Sequence, residues 1–84
     1  MKIYSILEAI DMTKKLLLDK KFNIIRKTKT SIYMSKNKKK IRISDHFLYD
    51  SIDIVHQIIY KKPTILVDIE YHVEQTIVKV LKNE

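Results

Sequence analysis

Ser31-Ile32-Tyr33-Met34-Ser35-Lys36-Asn37-Lys38-Lys39-Lys40-Ile41-Arg42-Ile43-Ser44-Asp45-His46 is the stretch from which the fold can be read. Two runs alternate apolar and polar residues, and four polar residues separate them. Successive side chains on a strand point to opposite faces, so period-two alternation marks a half-buried strand. Ser31 to Ser35 is a predicted strand with Ile32 and Met34 on one side and Ser31, Tyr33 and Ser35 on the other. Lys40 to Ser44 is its partner, with Ile41 and Ile43 inward and Lys40, Arg42 and Ser44 outward. Lys36-Asn37-Lys38-Lys39 joins them as a hairpin loop. The outer face then presents Tyr33, Lys40 and Arg42 beside serines, with a lysine-rich tip at one end.

Working outward, Phe22 to Thr28 reads as a further strand. Phe22, Ile24 and Arg26 share one face and Asn23, Ile25 and Lys27 the other, so the pattern leaves open which face meets the core. Lys27 to Thr30 is a polar turn. Before it, Ile3, Ile6, Leu7, Ile10 and Leu17 form a helical stripe and predict a helix from about Tyr4 to about Lys20. Its C-terminal lysines suit the helix dipole. After the hairpin, a short turn through Phe47 and Leu48 leads to a predicted helix from about Ser51 to Tyr60. Ile52, Val55, Ile58 and Ile59 are its buried stripe, and Pro63 stops it. Thr64 to about Ile69 reads as a fourth strand, and Val73, Ile77, Val80 and Leu81 predict a closing helix from about Tyr71 to Lys82. The order α-β-β-β-α-β-α predicts a single α+β domain over residues 1–84, an antiparallel sheet with helices packed on one face.

Composition removes several kinds of chemistry. The 84 residues include no cysteine and no glycine. Disulfides, thiolate metal sites and cysteine nucleophiles are therefore excluded, as are glycine-rich phosphate loops. No apolar run approaches the ~20 residues of a membrane span, and Glu8 and Asp11 interrupt the N-terminal apolar residues where a secretory leader would need continuity. A cytoplasmic protein with no membrane partner is expected. Charge is unevenly placed. Lys14 to Arg42 carries twelve basic residues and one acid, whereas Ile43 to Glu84 carries four basic and seven acidic residues. A cationic block on a nearly neutral body is the pattern of an electrostatic docking face. An A- and T-rich genome would account for the lysine content but not for its placement.

Nucleic-acid binding needs cations that neutralise phosphates, and it gains from an aromatic ring on which a base can stack. Lys36, Lys38, Lys39, Lys40 and Arg42 are the candidate phosphate contacts, Tyr33 is the candidate stacking ring, and a second basic group, Lys14, Lys15, Lys20, Lys21, Arg26, Lys27 and Lys29, extends the face. The same cations suit an acidic protein surface. His46, beside Ser44 and Asp45, is the one place where a general base is conceivable, but capping of a turn is the plainer reading, and no catalytic residue is assigned. Asp68 and Glu70, two apart on a predicted strand, share a side and form a carboxylate pair. His72-Val73-Glu74 has a His-x-Glu order without the cysteines of a zinc site. No metal site and no cofactor are expected. The acidic and basic halves are complementary enough for a homodimer.

The residues Ser31-x-Tyr33 and Ile41-Arg42-Ile43-Ser44-Asp45-His46 carry two resemblances. Over about Ile3 to Tyr60 the chain resembles the HicA group of toxin endoribonucleases, which have a small fold like that of double-stranded-RNA-binding domains. The chain has Lys29-Thr30-Ser31-Ile32-Tyr33 where that group carries Gly-Ser-His. The resemblance implies RNA binding, or a ribonuclease with His46 as the displaced histidine. Over about fifteen residues the chain is also similar to small phage and mobile-element proteins of anti-CRISPR type. That resemblance implies a non-enzymatic inhibitor that docks its basic face on RNA or on a nucleoprotein such as a CRISPR effector–guide complex.

Overall fold

The computed structural model describes residues 1–49 and 56–81. Its elements are β1 (Ile3–Tyr4), α1 (Ile6–Asp19), β2 (Asn23–Lys27), β3 (Ser31–Lys36), β4 (Lys39–Ser44), β5 (His56–Ile59), β6 (Thr64–Ile65) and α2 (Leu66–Leu81). The fold is α+β, with two helices on one face of a four-stranded sheet in the order β2-β3-β4-β5. β1 and β6 pair separately as a short antiparallel ribbon.

The hairpin forms as its alternation dictates. β3 and β4 pair Ile32 with Ile43, Tyr33 with Arg42 and Met34 with Ile41. The four apolar residues face inward, where they meet Ala9, Ile10 and Leu17 of α1 and Ile69, Val73 and Val80 of α2 in one core. Burying such aliphatic side chains contributes roughly 1.5–3 kcal/mol each. Asn37 (φ 51°) and Lys38 (φ 68°) link paired Lys36 and Lys39, so this is a two-residue turn of type I′. Positive φ at both central residues matches the twist of the strands and favours Asn-Gly. Here a lysine takes the glycine position, at a cost of about 1 kcal/mol for its Cβ. Lys38→Gly is expected to raise the free energy of unfolding by up to about 1 kcal/mol, less what glycine adds to the entropy of the unfolded chain, seen as a higher urea midpoint with an unchanged slope; a lower midpoint would show that the turn is not strained there.

Two features of the N-terminal half go beyond the sequence pattern. α1 begins with a capping box, in which Glu8 N donates to Ser5 Oγ (3.1 Å) and Ser5 N donates to Glu8 Oε1 (2.9 Å). It ends in a Schellman motif with Lys21 at φ 73°, where Phe22 N donates to Leu17 O and Lys21 N to Leu18 O, each at 3.0 Å. Phe22 thereby enters the core against Leu17. In β2, Ile24 pairs with Met34 and Arg26 with Tyr33, so Ile25 is the extra residue of a bulge. The bulge overturns the simple alternation expected here: Ile24 stays beside inward Met34, whereas Arg26 moves to the outer face beside Tyr33 instead of sharing the face of Ile24.

The C-terminal half corrects the sequence reading. The helix expected from Ser51 to Tyr60 is not formed over its second half, because His56–Ile59 is strand β5, parallel to β4 with Ile43 opposite Ile58. Residues 51–55 lie outside the described residues. Short apolar runs do not distinguish a helix from a buried strand by spacing, and consecutive isoleucines favour the strand. The sheet is accordingly mixed rather than wholly antiparallel. The strand expected from Thr64 to Ile69 shrinks to β6, and α2 starts at Leu66 rather than near Tyr71. Ile69, Val73, Ile77 and Val80 form the inward stripe of a single helix. Asp68 sits in its first turn, where the dipole favours an acid. Thr13 ties α1 to the chain after β5. Its hydroxyl donates to Ala9 O at 2.8 Å, which leaves Tyr60 to donate its own to Thr13 Oγ1 at 2.7 Å. Burial raises the Tyr60 pKa, so the phenol stays protonated.

Candidate nucleic-acid interface

Cross-strand register sorts the candidate residues. The outer face of the sheet carries Arg26 from β2, Tyr33 and Ser35 from β3, Lys40 and Arg42 from β4, and Gln57 from β5. Lys38 and Lys39 stand at the hairpin tip beside the C-terminus of α1, which brings in Lys20 and Lys21. The link is Lys36, whose Nζ donates to Lys20 O at 3.0 Å and lies 5.8 Å from the centroid of the Phe22 ring. Lys36 therefore serves a carbonyl at the negative end of α1. The structure takes Lys36 out of the set of solvated cations and, from the second basic group, brings Lys20 and Lys21 to the tip. Lys27 and Lys29 flank the β2–β3 turn at the opposite end of the sheet from the hairpin tip, so they extend a different edge.

The field at the basic end is visible in a neighbour. His56 has its pKa lowered by burial first and then by Lys79 and Lys39. Lys20 meets Glu74 at 3.8 Å. Lys21, Lys38, Lys39 and Lys40 make no ion pair among the described residues. Lys14 and Lys15, by contrast, both bind Asp11, at 2.8 and 3.1 Å, and their hydrogen bonds lower the Asp11 pKa.

Arg42 requires the largest correction. It lies on the outer face, as expected, but it is 1% exposed and does not offer its guanidinium to a phosphate. Nε donates to Tyr33 Oη at 3.2 Å. One terminal nitrogen donates to His46 O at 2.6 Å and Gln57 Oε1 at 3.0 Å. The other bonds Ser31 Oγ at 3.1 Å and His46 Nε2 at 2.9 Å. All five N–H groups of the guanidinium are thus engaged. Every acceptor is neutral, and no carboxylate pairs with Arg42 among the described residues. The positive charge is held without a counter-ion directly beneath the sheet face, where low dielectric strengthens its field.

Arg42 is buried by the segment after β4. Gln57 completes that clamp by bonding Leu48 twice: Leu48 N donates to Gln57 Oε1 at 3.0 Å, and Gln57 Nε2 donates to Leu48 O at 2.9 Å. His46 accepts from Arg42 through Nε2, so its proton sits on Nδ1 and goes to Asp45 Oδ1 at 2.8 Å. That hydrogen bond lowers the Asp45 pKa. Ser44 Oγ also approaches Nδ1, at 3.2 Å. In a nucleophilic triad the serine and the carboxylate occupy opposite ring nitrogens; here they share one, and Ser44 is fully buried. The arrangement positions the 45–48 segment and has no free nitrogen for proton transfer.

Tyr33 is half-buried, and its ring has guanidiniums beside it, with Arg26 at 5.3 Å and Arg42 at 5.7 Å from the centroid. Both are within cation–π reach. The sequence offers Arg26 as an extension of the basic face but puts it on the side of Ile24, because the bulge conceals which face it takes. Sequence reasoning passed over Phe47 and Tyr49, which lie in the segment that covers Arg42 and are 45% and 85% exposed. Their only sequence signal is aromatic spacing in a presumed turn, which more often means packing. The carboxylate pair of the sequence reading dissolves: Asp68 and Glu70 are two apart on α2 and do not face each other. No cluster of three metal-ligating side chains occurs among the described residues, and no helix there is long and apolar enough to cross a membrane.

Fold and site together define a small α+β domain with one basic end and a cation buried under its open sheet face. No family model matches this chain, and no curated protein or solved structure shows significant similarity to it.

Proposed function

We propose that this protein binds nucleic acid, free or within a nucleoprotein complex, through the lysines at its hairpin end, and that it acts by occupying that partner. The observation that carries this reading is the convergence of Lys20, Lys21, Lys38, Lys39 and Lys40 from two elements distant in sequence. Four of these five make no ion pair among the described residues. Unneutralised cations held together repel one another, and phosphates relieve that repulsion while releasing counterions. The phage-type inhibitor of a CRISPR effector–guide complex is one form of this activity, whereas a homodimer that pairs acidic with basic halves would compete for the same end. An RNA-binding domain of HicA type is the alternative, but residues 56–59 form strand β5 where that resemblance wants a helix, and His46 offers no ring nitrogen for cleavage chemistry.

Titration of a labelled RNA oligonucleotide at several salt concentrations tests the reading. With about five phosphate contacts, log K is expected to fall against log salt with a slope of roughly −4. Binding should also raise the His56 pKa towards its ordinary value, because phosphates at the hairpin end cancel the part of its lowering that comes from Lys39. Absence of binding to RNA, single-stranded DNA and duplex at low salt would overturn the proposal.

A further inference from the structure

We infer that the strand bound by this protein is unpaired, and that its bases stack on Phe47 and Tyr49. This rests on the nucleic-acid reading above and names the form of the ligand. The 46–48 segment is held against the outer sheet face by backbone and side-chain bonds from Arg42 and Gln57. Fixed in that way, its neighbours Phe47 and Tyr49 point away from the core. Their ring centroids are 4.8 Å apart with planes inclined at 64°. Tyr49, 85% exposed, has almost its whole surface in water. Anchored aromatics open to solvent lose little freedom when a planar ligand settles on them.

Charge decides which ligand. The segment that carries the aromatic pair closes over Arg42 through His46, and Arg42 has no counter-ion among the described residues, on a face that also carries Arg26 and Lys40. A cationic groove beside exposed rings is how single strands are held without sequence preference. A duplex would meet the cations with its phosphates but keep its bases stacked inside, so the rings would contribute nothing. Tyr33, the ring that the sequence suggests for stacking, already has guanidiniums beside it, and the stacking role passes to Phe47 and Tyr49.

The test measures anisotropy of labelled 12-nucleotide single-stranded RNA, single-stranded DNA and the matching DNA duplex. It uses the full chain, the Phe47→Ala/Tyr49→Ala variant, Tyr49→Leu and Tyr49→Phe. Stacking of a base on one ring is worth roughly ten- to a hundredfold in affinity. The double variant should lose about a hundredfold on both single strands and nothing on the duplex, with an unchanged salt slope. Tyr49→Leu should lose about tenfold, and Tyr49→Phe should bind as the parent does. Both sites are exposed, so circular dichroism should show an unaltered fold. The chain has no tryptophan, so quenching of tyrosine emission by the single strands, absent in the double variant, provides a second readout. Unchanged single-strand affinity in the double variant would overturn this inference while leaving the lysine-borne reading intact. Equal losses on single strand and duplex would overturn it too. So would full rescue by Tyr49→Leu, which would mark the patch as an apolar surface for a protein.

Discussion

Arg42→Ala is expected to lower the free energy of unfolding by about 2–4 kcal/mol, a large part of the roughly 4–13 kcal/mol available to a chain of this size. The side chain is 1% exposed and connects five acceptors from β3, β5 and the segment after β4. Hydrogen bonds from a charged donor are worth more than neutral ones, and acceptors left unpaired under the face retain their desolvation cost. No carboxylate would be stranded, so the loss should fall below that of breaking a buried ion pair. Arg42→Lys should recover little, because an ammonium has three donors at one point and cannot span the planar fork. Urea unfolding measures both variants. The loss should also release the clamp on His46 and Leu48, visible as loss of amide protection at those residues. A change below about 0.5 kcal/mol, the range of surface substitutions, would mean that the network contributes nothing net.

The second large effect is on binding. Lys38→Glu/Lys39→Glu/Lys40→Glu is expected to weaken nucleic-acid binding by about a thousandfold or more near 0.1 M salt, because three phosphate contacts become repulsions. Arg42 is left untouched in this variant, since it is enclosed and its replacement would confound binding with stability. The folded state should be as stable as the parent or slightly more so. Lys38 and Lys40 are exposed, and reversal near Lys20, Lys21 and Lys36 replaces like-charge proximity with attraction. Equilibrium binding and urea unfolding on the same preparation separate the two. Retained affinity at low salt would place the interface elsewhere on the molecule, and lost affinity with lost stability would remove the lysines' claim to direct contact.

Legibility in the sequence followed locality. The β3–β4 hairpin was readable because each alternating residue reports its own face, and the burial of Ile32, Met34, Ile41 and Ile43 agrees with it. α1 was readable from its stripe, although its start at Ser5 depended on the capping box with Glu8. β5 was not, because the two isoleucines of His56-Gln57-Ile58-Ile59 satisfy either period, and only pairing with the edge of β4 selects the strand. The start of α2 failed for the same reason, since Ile65 to Ile69 is apolar enough for a strand until the core selects one face of a helix.

The candidate site divides along the same line. Sequence alone determined that this protein carries a localised cationic block around a hairpin, because net charge and alternation depend only on residue order. Tertiary structure decided which of those cations remain available. Lys36 is drawn to the end of α1, Lys27 and Lys29 go to the far end of the sheet, and Lys20 and Lys21 join the hairpin tip. Arg42 is enclosed because His46, four residues on, folds back over it and Gln57, fifteen residues on, pairs beside it, both supplying neutral acceptors to its guanidinium. The availability of a charge depends on what surrounds it in space, and those surroundings form only when the chain after β4 closes over the sheet.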